Sequence, residues 1–102
     1  MKIILVYITN PTKKEAERIA GRLLNKKLIA CANIFPIESF YWWKGRKKKD
    51  NEFVLICKTL ENNFKKIEKE TEKIHSYETP CILKIQAVAN GKYGKWLKNV
   101  LS

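Results

Sequence analysis

Apolar residues change their spacing several times along the chain, and each change marks a new element. Ile3-Ile4-Leu5-Val6-Tyr7-Ile8 is an unbroken apolar run, which predicts a central β-strand covered on both faces. Thr9-Asn10-Pro11-Thr12 ends it, and Thr12-Lys13-Lys14-Glu15 has the spacing of a capping box; Asn10 is the other candidate cap, with Pro11 in the first turn. Ala16, Ile19, Ala20, Leu23, Leu24 and Leu28 then recur at three- and four-residue intervals, which gives a helix one apolar face, with Gly21 as its weak point.

From Ala30 to Arg46 the helical spacing is gone. The stretch ACANIFPIESFYWWKGR is rich in β-branched and aromatic residues and predicts extended backbone. Pro36 cannot donate to a ladder, so it belongs at a sheet edge or a bulge. Phe40-Tyr41-Trp42-Trp43 puts aromatics on both faces of one strand, because alternate side chains point opposite ways. Lys44-Gly45-Arg46-Lys47-Lys48-Lys49-Asp50 predicts a charged turn, and Phe53-Val54-Leu55-Ile56-Cys57 runs back to complete a long hairpin. A single small sheet covers one face only. Tyr41, Trp42 and Trp43 are therefore expected in a subunit interface, in preference to a ligand platform.

A second helix is expected from about Glu61 or Asn62. Leu60, Phe64, Ile67 and Ile74 form its buried stripe, and Lys65, Lys66, Glu68, Lys69, Glu70, Glu72 and Lys73 its solvated face. His75 to Pro80 is a loop. Cys81 to Val88 is the last strand, with its greasier face on Leu83, Ile85 and Ala87. Asn90-Gly91 turns the chain into a short amphipathic helix carrying Tyr93, Trp96, Leu97, Val100 and Leu101. The order β-α-β-β-α-β plus a C-terminal helix predicts an α+β fold, the ferredoxin-like split βαβ sandwich, as one domain over 1–102.

Charge adds one question. The net charge is +11, which suits an anionic partner. The excess is almost all lysine, spread over helices, turn and tail, with Arg18, Arg22 and Arg46 the only arginines. Base readout favours arginine, so a solvated lysine surface is the better reading and nucleic acid is not expected as a partner. Cys31, Cys57 and Cys81 lie far apart in apolar runs with no metal-site spacing, which suits a reducing, cytoplasmic setting. No signal peptide or membrane-length apolar run is visible.

No nucleophile–base constellation or phosphate loop is present, so no enzyme and no required cofactor are expected. The single histidine, His75, sits at a helix end, where it can answer the helix dipole. It can also serve as a metal ligand with Tyr77, Glu78 or a neighbouring subunit, holding Cu2+ or another divalent cation weakly.

Taken together, Ala30-Cys31-x-Asn33-Ile34-x-Pro36, Ser39-x-Tyr41-x-Trp43-x-Gly45, Lys58-Thr59, His75-x-Tyr77-Glu78-x-Pro80 and Tyr93-x-x-Trp96-Leu97 resemble the CutA divalent-cation-tolerance family over nearly the whole chain. The resemblance implies a ferredoxin-like subunit in a tight homotrimer, with strand edges joined between subunits. It also implies a cytoplasmic role in tolerance of copper and other divalent metals, without a firm catalytic activity. Where some members carry a ligating cysteine at the end of the first strand, this chain has an apolar residue at about Ile8, and Ser76 replaces the proline after the histidine. The architecture is also similar to that of PII-like signalling trimers, which implies an alternative: a nucleotide or other anion held between subunits by Arg46, Lys47, Lys48 and Lys49.

Overall fold

The computed structural model describes residues 1–102. The first apolar run becomes the central strand β1 (Lys2–Asn10), followed by helix α1 (Lys13–Asn25), strands β2 (Cys31–Trp43) and β3 (Arg46–Thr59), a 3-10 turn (Glu61–Asn63), helix α2 (Phe64–Ile74), strand β4 (Ile82–Val88) and helix α3 (Gly91–Leu101). The sheet is antiparallel in the order β2-β3-β1-β4, the expected ferredoxin-like arrangement. Alternation along β1 sends Ile4, Val6 and Ile8 to one side. There they meet Leu55 and Cys57 of β3, Ala16, Ile19, Ala20 and Leu23 of α1, and Ile67 of α2, all buried. Burying a Leu or Ile side chain is worth about 1.5–3 kcal/mol, so this cluster is the main source of stability.

The other face is covered at one end only. Lys58 alternates with the core residue Cys57, so it points away from α1 and α2, and its ammonium lies 5.5 Å from the Tyr93 ring of α3. Further along this face Leu83 and Ile85, the greasier side of β4, stand open to solvent. Cover on both sides of β1 was therefore expected correctly only for the α1–α2 side and for the end under α3.

Local chemistry explains where elements begin and end. Thr12 caps α1 by accepting the Glu15 amide hydrogen at 3.1 Å. Only this half of the capping box forms, because the Glu15 carboxylate turns instead to the Ser76 amide and hydroxyl at 3.0 and 2.9 Å. Leu24, expected on the apolar face, is exposed, and Leu28 lies beyond the helix end at Asn25.

The charged turn of seven residues is in fact a two-residue turn. Lys44 and Gly45 both take positive φ, 50° and 77°, as tight hairpin turns require. Arg46 to Asp50 are strand, paired opposite Trp43 to Ser39. Pro36 sits on the free edge of β2 in unbroken register with Phe53, so the edge option holds and no bulge is needed. β1 stops at Asn10 opposite Phe53, so residues 37–43 and 46–52 continue outward as a two-stranded ribbon.

Glu70 also departs from expectation. Placed on the solvated face by its charge, it is only 6% exposed. Arg22 at 2.9 Å, Lys26 at 3.3 Å and Lys73 at 3.8 Å surround it, which ties α2 to α1. Burial alone would raise its carboxyl; the hydrogen bond and charge of Lys26, with the charges of Lys73 and Arg22, outweigh that and hold it below the usual range.

Candidate functional site

Where the ribbon leaves the body, the face away from α1 and α2 forms a cleft of about 710 Å3. Strand alternation puts Ser39, Tyr41 and Trp43 of β2 on it beside Lys48, Asp50 and Glu52 of β3 and Tyr7 and Thr9 of β1. The loop before β4 closes one wall with Tyr77, Glu78, Thr79 and Cys81.

Two tyrosine–carboxylate pairs order the cleft. The Tyr41 hydroxyl donates to Asp50 Oδ2, and the Tyr77 hydroxyl donates to Glu52 Oε2 at 2.6 Å. The bond to Asp50 pushes the Tyr41 phenol up to about 12, with burial adding to it. Burial first, and then the bond to Glu52, raises the Tyr77 phenol as well. Burial and the Glu52 charge raise the Cys81 thiol. At neutral pH these groups are protonated donors rather than nucleophiles.

His75 positions the wall. Its side chain is fully buried, and Nε2–H donates to the Thr9 carbonyl at 2.8 Å while Nδ1 accepts the Tyr77 amide hydrogen at 3.0 Å. A carbonyl acceptor at Nε2 and an amide donor at Nδ1 match the tautomer with its proton on Nε2. The ring also packs against Tyr77 at 4.9 Å between centroids. Both nitrogens are thus engaged, and in this arrangement the ring latches Tyr77 against Glu52. Glu78 is exposed on the rim of the cleft. No group of three or more His, Cys, Asp or Glu side chains converges as a metal site.

The remaining expected residues divide between the two faces of the ribbon. By alternation Tyr41 and Trp43 point to the cleft side and Phe40 and Trp42 to the other, 72% and 70% exposed, with Phe40 still reaching the cleft rim. Lys47 lies 5.9 Å from the Trp42 ring and Lys49 5.6 Å from the Phe40 ring. Arg46 and Lys48 alternate to the cleft side. The proposed anion grip of Arg46, Lys47, Lys48 and Lys49 is therefore split across a strand and forms no single cradle. Glu38 and Glu78, which no sequence spacing connects, both line the cleft. Asp50 and Glu52 were missed as site residues; their i, i+2 spacing was the available signal, hidden by assigning Asp50 to a turn.

Comparison with known proteins bears on this geometry. Residues 4–100 match the family model described as CutA1 divalent ion tolerance protein. The divalent-cation tolerance protein CutA of Archaeoglobus fulgidus is 54% identical over 80 residues, covering 78% of each chain. That of Thermotoga maritima is 46% identical over 98 residues, covering 94% of this chain and 96% of its own. Among solved structures, the periplasmic divalent cation tolerance protein CutA from Archaeoglobus fulgidus superposes with a TM-score of 0.96 at 44% identity, covering 98% of this chain and 99% of that one. CutA1 from Oryza sativa gives 0.94 at 38% identity, covering 100% and 95%.

Proposed function

Because the chain belongs to the CutA1 divalent ion tolerance family, we propose that it serves divalent-cation tolerance as a homotrimeric binding or scaffold protein without a reaction of its own. The observation that carries this reading is the uncovered apolar surface. Phe40 and Trp42 stand open on one side of the ribbon, and Leu83 and Ile85 on the bare sheet face. Fully burying an aromatic side chain removes roughly 150–250 Å2 from water. At about 25 cal/mol per Å2, each of these two aromatics offers an upper bound of a few kcal/mol to a partner. A closed ring, in which each ribbon and free β2 edge packs on the next copy, uses these surfaces and stops at a finite size. Tyr41 and Trp43 on the other face of the ribbon join the same interface.

Cu2+ or another divalent cation is bound weakly in this reading. Glu78 is an exposed carboxylate without a convergent set around it, and His75 joins it only by giving up both of its hydrogen bonds. No cofactor is required. The acidic cleft and the divided lysines do not favour a nucleotide. Three free cysteines suit a reducing compartment, the cytoplasm, although the Archaeoglobus relative is described as periplasmic. No helix is long and apolar enough to cross a membrane.

Sedimentation velocity tests the assembly. The expected species has three times the 12.0 kDa mass of the chain at micromolar concentration, and Trp42→Lys with Trp43→Lys disrupts it. A folded monomer of the parent at that concentration overturns the trimer.

A further inference from the structure

The basic excess is not spread evenly over the surface. Lys14, Arg18, Arg22 and Lys26 recur every four residues along α1 and its C-cap, a row of cations about 18 Å long. On α2, Lys66 and Lys73 flank Glu70 at one turn's distance with Lys69 beside them, and Glu70 faces α1 through Arg22 and Lys26. The two helices thus border one seam with seven cations, all exposed. Its two carboxylates, Glu15 and Glu70, are nearly buried beneath them. Glu68 and Glu72 stand about 160° round α2 from Glu70, and Glu17 about 140° round α1 from Arg22, so they fall outside the seam. The charges within it do not balance. Glu70 draws in Arg22, Lys26 and Lys73 at 2.9, 3.3 and 3.8 Å and can neutralise only one of them. Arg22 gives it Nε alone, which leaves both Nη groups of the guanidinium fork unbonded.

Like charges gathered in this way favour an anion laid over them. A single small anion would answer one end of the row, and its length calls for a chain of negative charges. No aromatic ring of α1 or α2 is exposed, so nothing along the seam stacks on a nucleic-acid base. Leu24 is the only large apolar side chain exposed on either helix, too little to enter a bilayer. Lysine meets phosphate as a point charge, and the free Arg22 fork matches two phosphate oxygens at once. We propose that the seam between α1 and α2 binds inorganic polyphosphate, a linear chain of phosphates without bases. The helices cover the core side of the sheet, opposite Leu83 and Ile85, and no residue of the seam belongs to the surfaces assigned to the ring.

Isothermal titration of the intact protein with a polyphosphate of defined length at low ionic strength tests this. Saturable binding is expected, and raising the salt from about 50 to 200 mM should weaken it on the order of fiftyfold, as for four neutralised phosphates. Two double variants separate the seam from net charge. Lys66→Gln with Lys69→Gln removes two seam cations that hold no ion pair, so the fold is not at risk, and affinity should fall about tenfold. Lys95→Gln with Lys98→Gln removes the same charge from the exposed side of α3 and should cost about twofold or less, through the long-range field alone. No saturable binding at millimolar polyphosphate overturns the proposal. So does an equal loss in the two double variants, which would mean attraction by net charge. Single-stranded oligothymidylate of matched charge binding as tightly as polyphosphate overturns it in favour of nucleic acid.

Discussion

Replacing His75 by alanine separates a structural latch from a metal ligand. The ring is buried, and its loss strands the Thr9 carbonyl and the Tyr77 amide. Each buried group left unpaired costs about 1–3 kcal/mol, and the lost packing of a small ring adds to that, so His75→Ala should destabilise the fold by about 3–5 kcal/mol. That is a large share of a typical stability of about 5–15 kcal/mol. The assay is urea unfolding followed by circular dichroism, at one protein concentration, in EDTA and again with Cu2+. The full loss should appear in EDTA. His75→Asn can offer Oδ1 in place of Nδ1 to the Tyr77 amide and should recover part of it. If parent and His75→Ala are equally stable in EDTA and differ only when Cu2+ is added, the latch argument is wrong and His75 is a ligand.

Other outcomes follow from the same geometry. Asp50→Asn keeps a carbonyl acceptor but removes the charge that helps push the Tyr41 phenol up to about 12, so its tyrosinate absorbance should appear at lower pH; an unchanged titration would deny the pair. The sign is that of a raised group: neutral Tyr41 stabilises the parent below its unfolded value of about 10, and the contribution is lost as pH rises through about 12. Glu70 has the opposite sign, since its depressed carboxyl stabilises above the unfolded value of about 4.3 and ceases to as pH falls through the lower folded one. Glu70→Gln should therefore reduce stability at neutral pH and narrow the gap to the parent in acid, which acid-unfolding midpoints would check. Gly94→Ala would set a Cβ 2.6 Å from Met1 Sδ and 2.8 Å from Met1 Cβ. Calorimetry should show a loss of about 1–3 kcal/mol, and an unchanged melting temperature would mean that Met1 yields freely.

Periodicity carried most of the architecture. The apolar run of β1 and the helical stripes of α1 and α2 each have a local cause, so they were legible. What was misread depends on distant residues or on backbone angles. Glu70 looks solvated in isolation, and its burial is made tolerable by Arg22, 48 positions away. His75 looks free, and its partner Thr9 is 66 positions away. The lysine run suggested a loop by composition, but only Lys44-Gly45 adopts the left-handed angles of the turn, and the lysines extend along a ribbon that leaves their charges in water. The cleft was the least legible feature, because it exists only where the loop after α2 meets a strand that composition had assigned to a turn.

The ribbon beyond Phe53 is also an adjustable ruler. Its pleat repeats every two residues, so deleting two consecutive residues from each strand removes whole repeats and leaves every remaining side chain on its original face. Each such step shortens the arm by about 7 Å without touching β1, β4 or the helices. Deleting one residue from each strand instead exchanges the faces of everything between the cut and the turn. Even steps therefore change reach alone, and odd steps change facing as well.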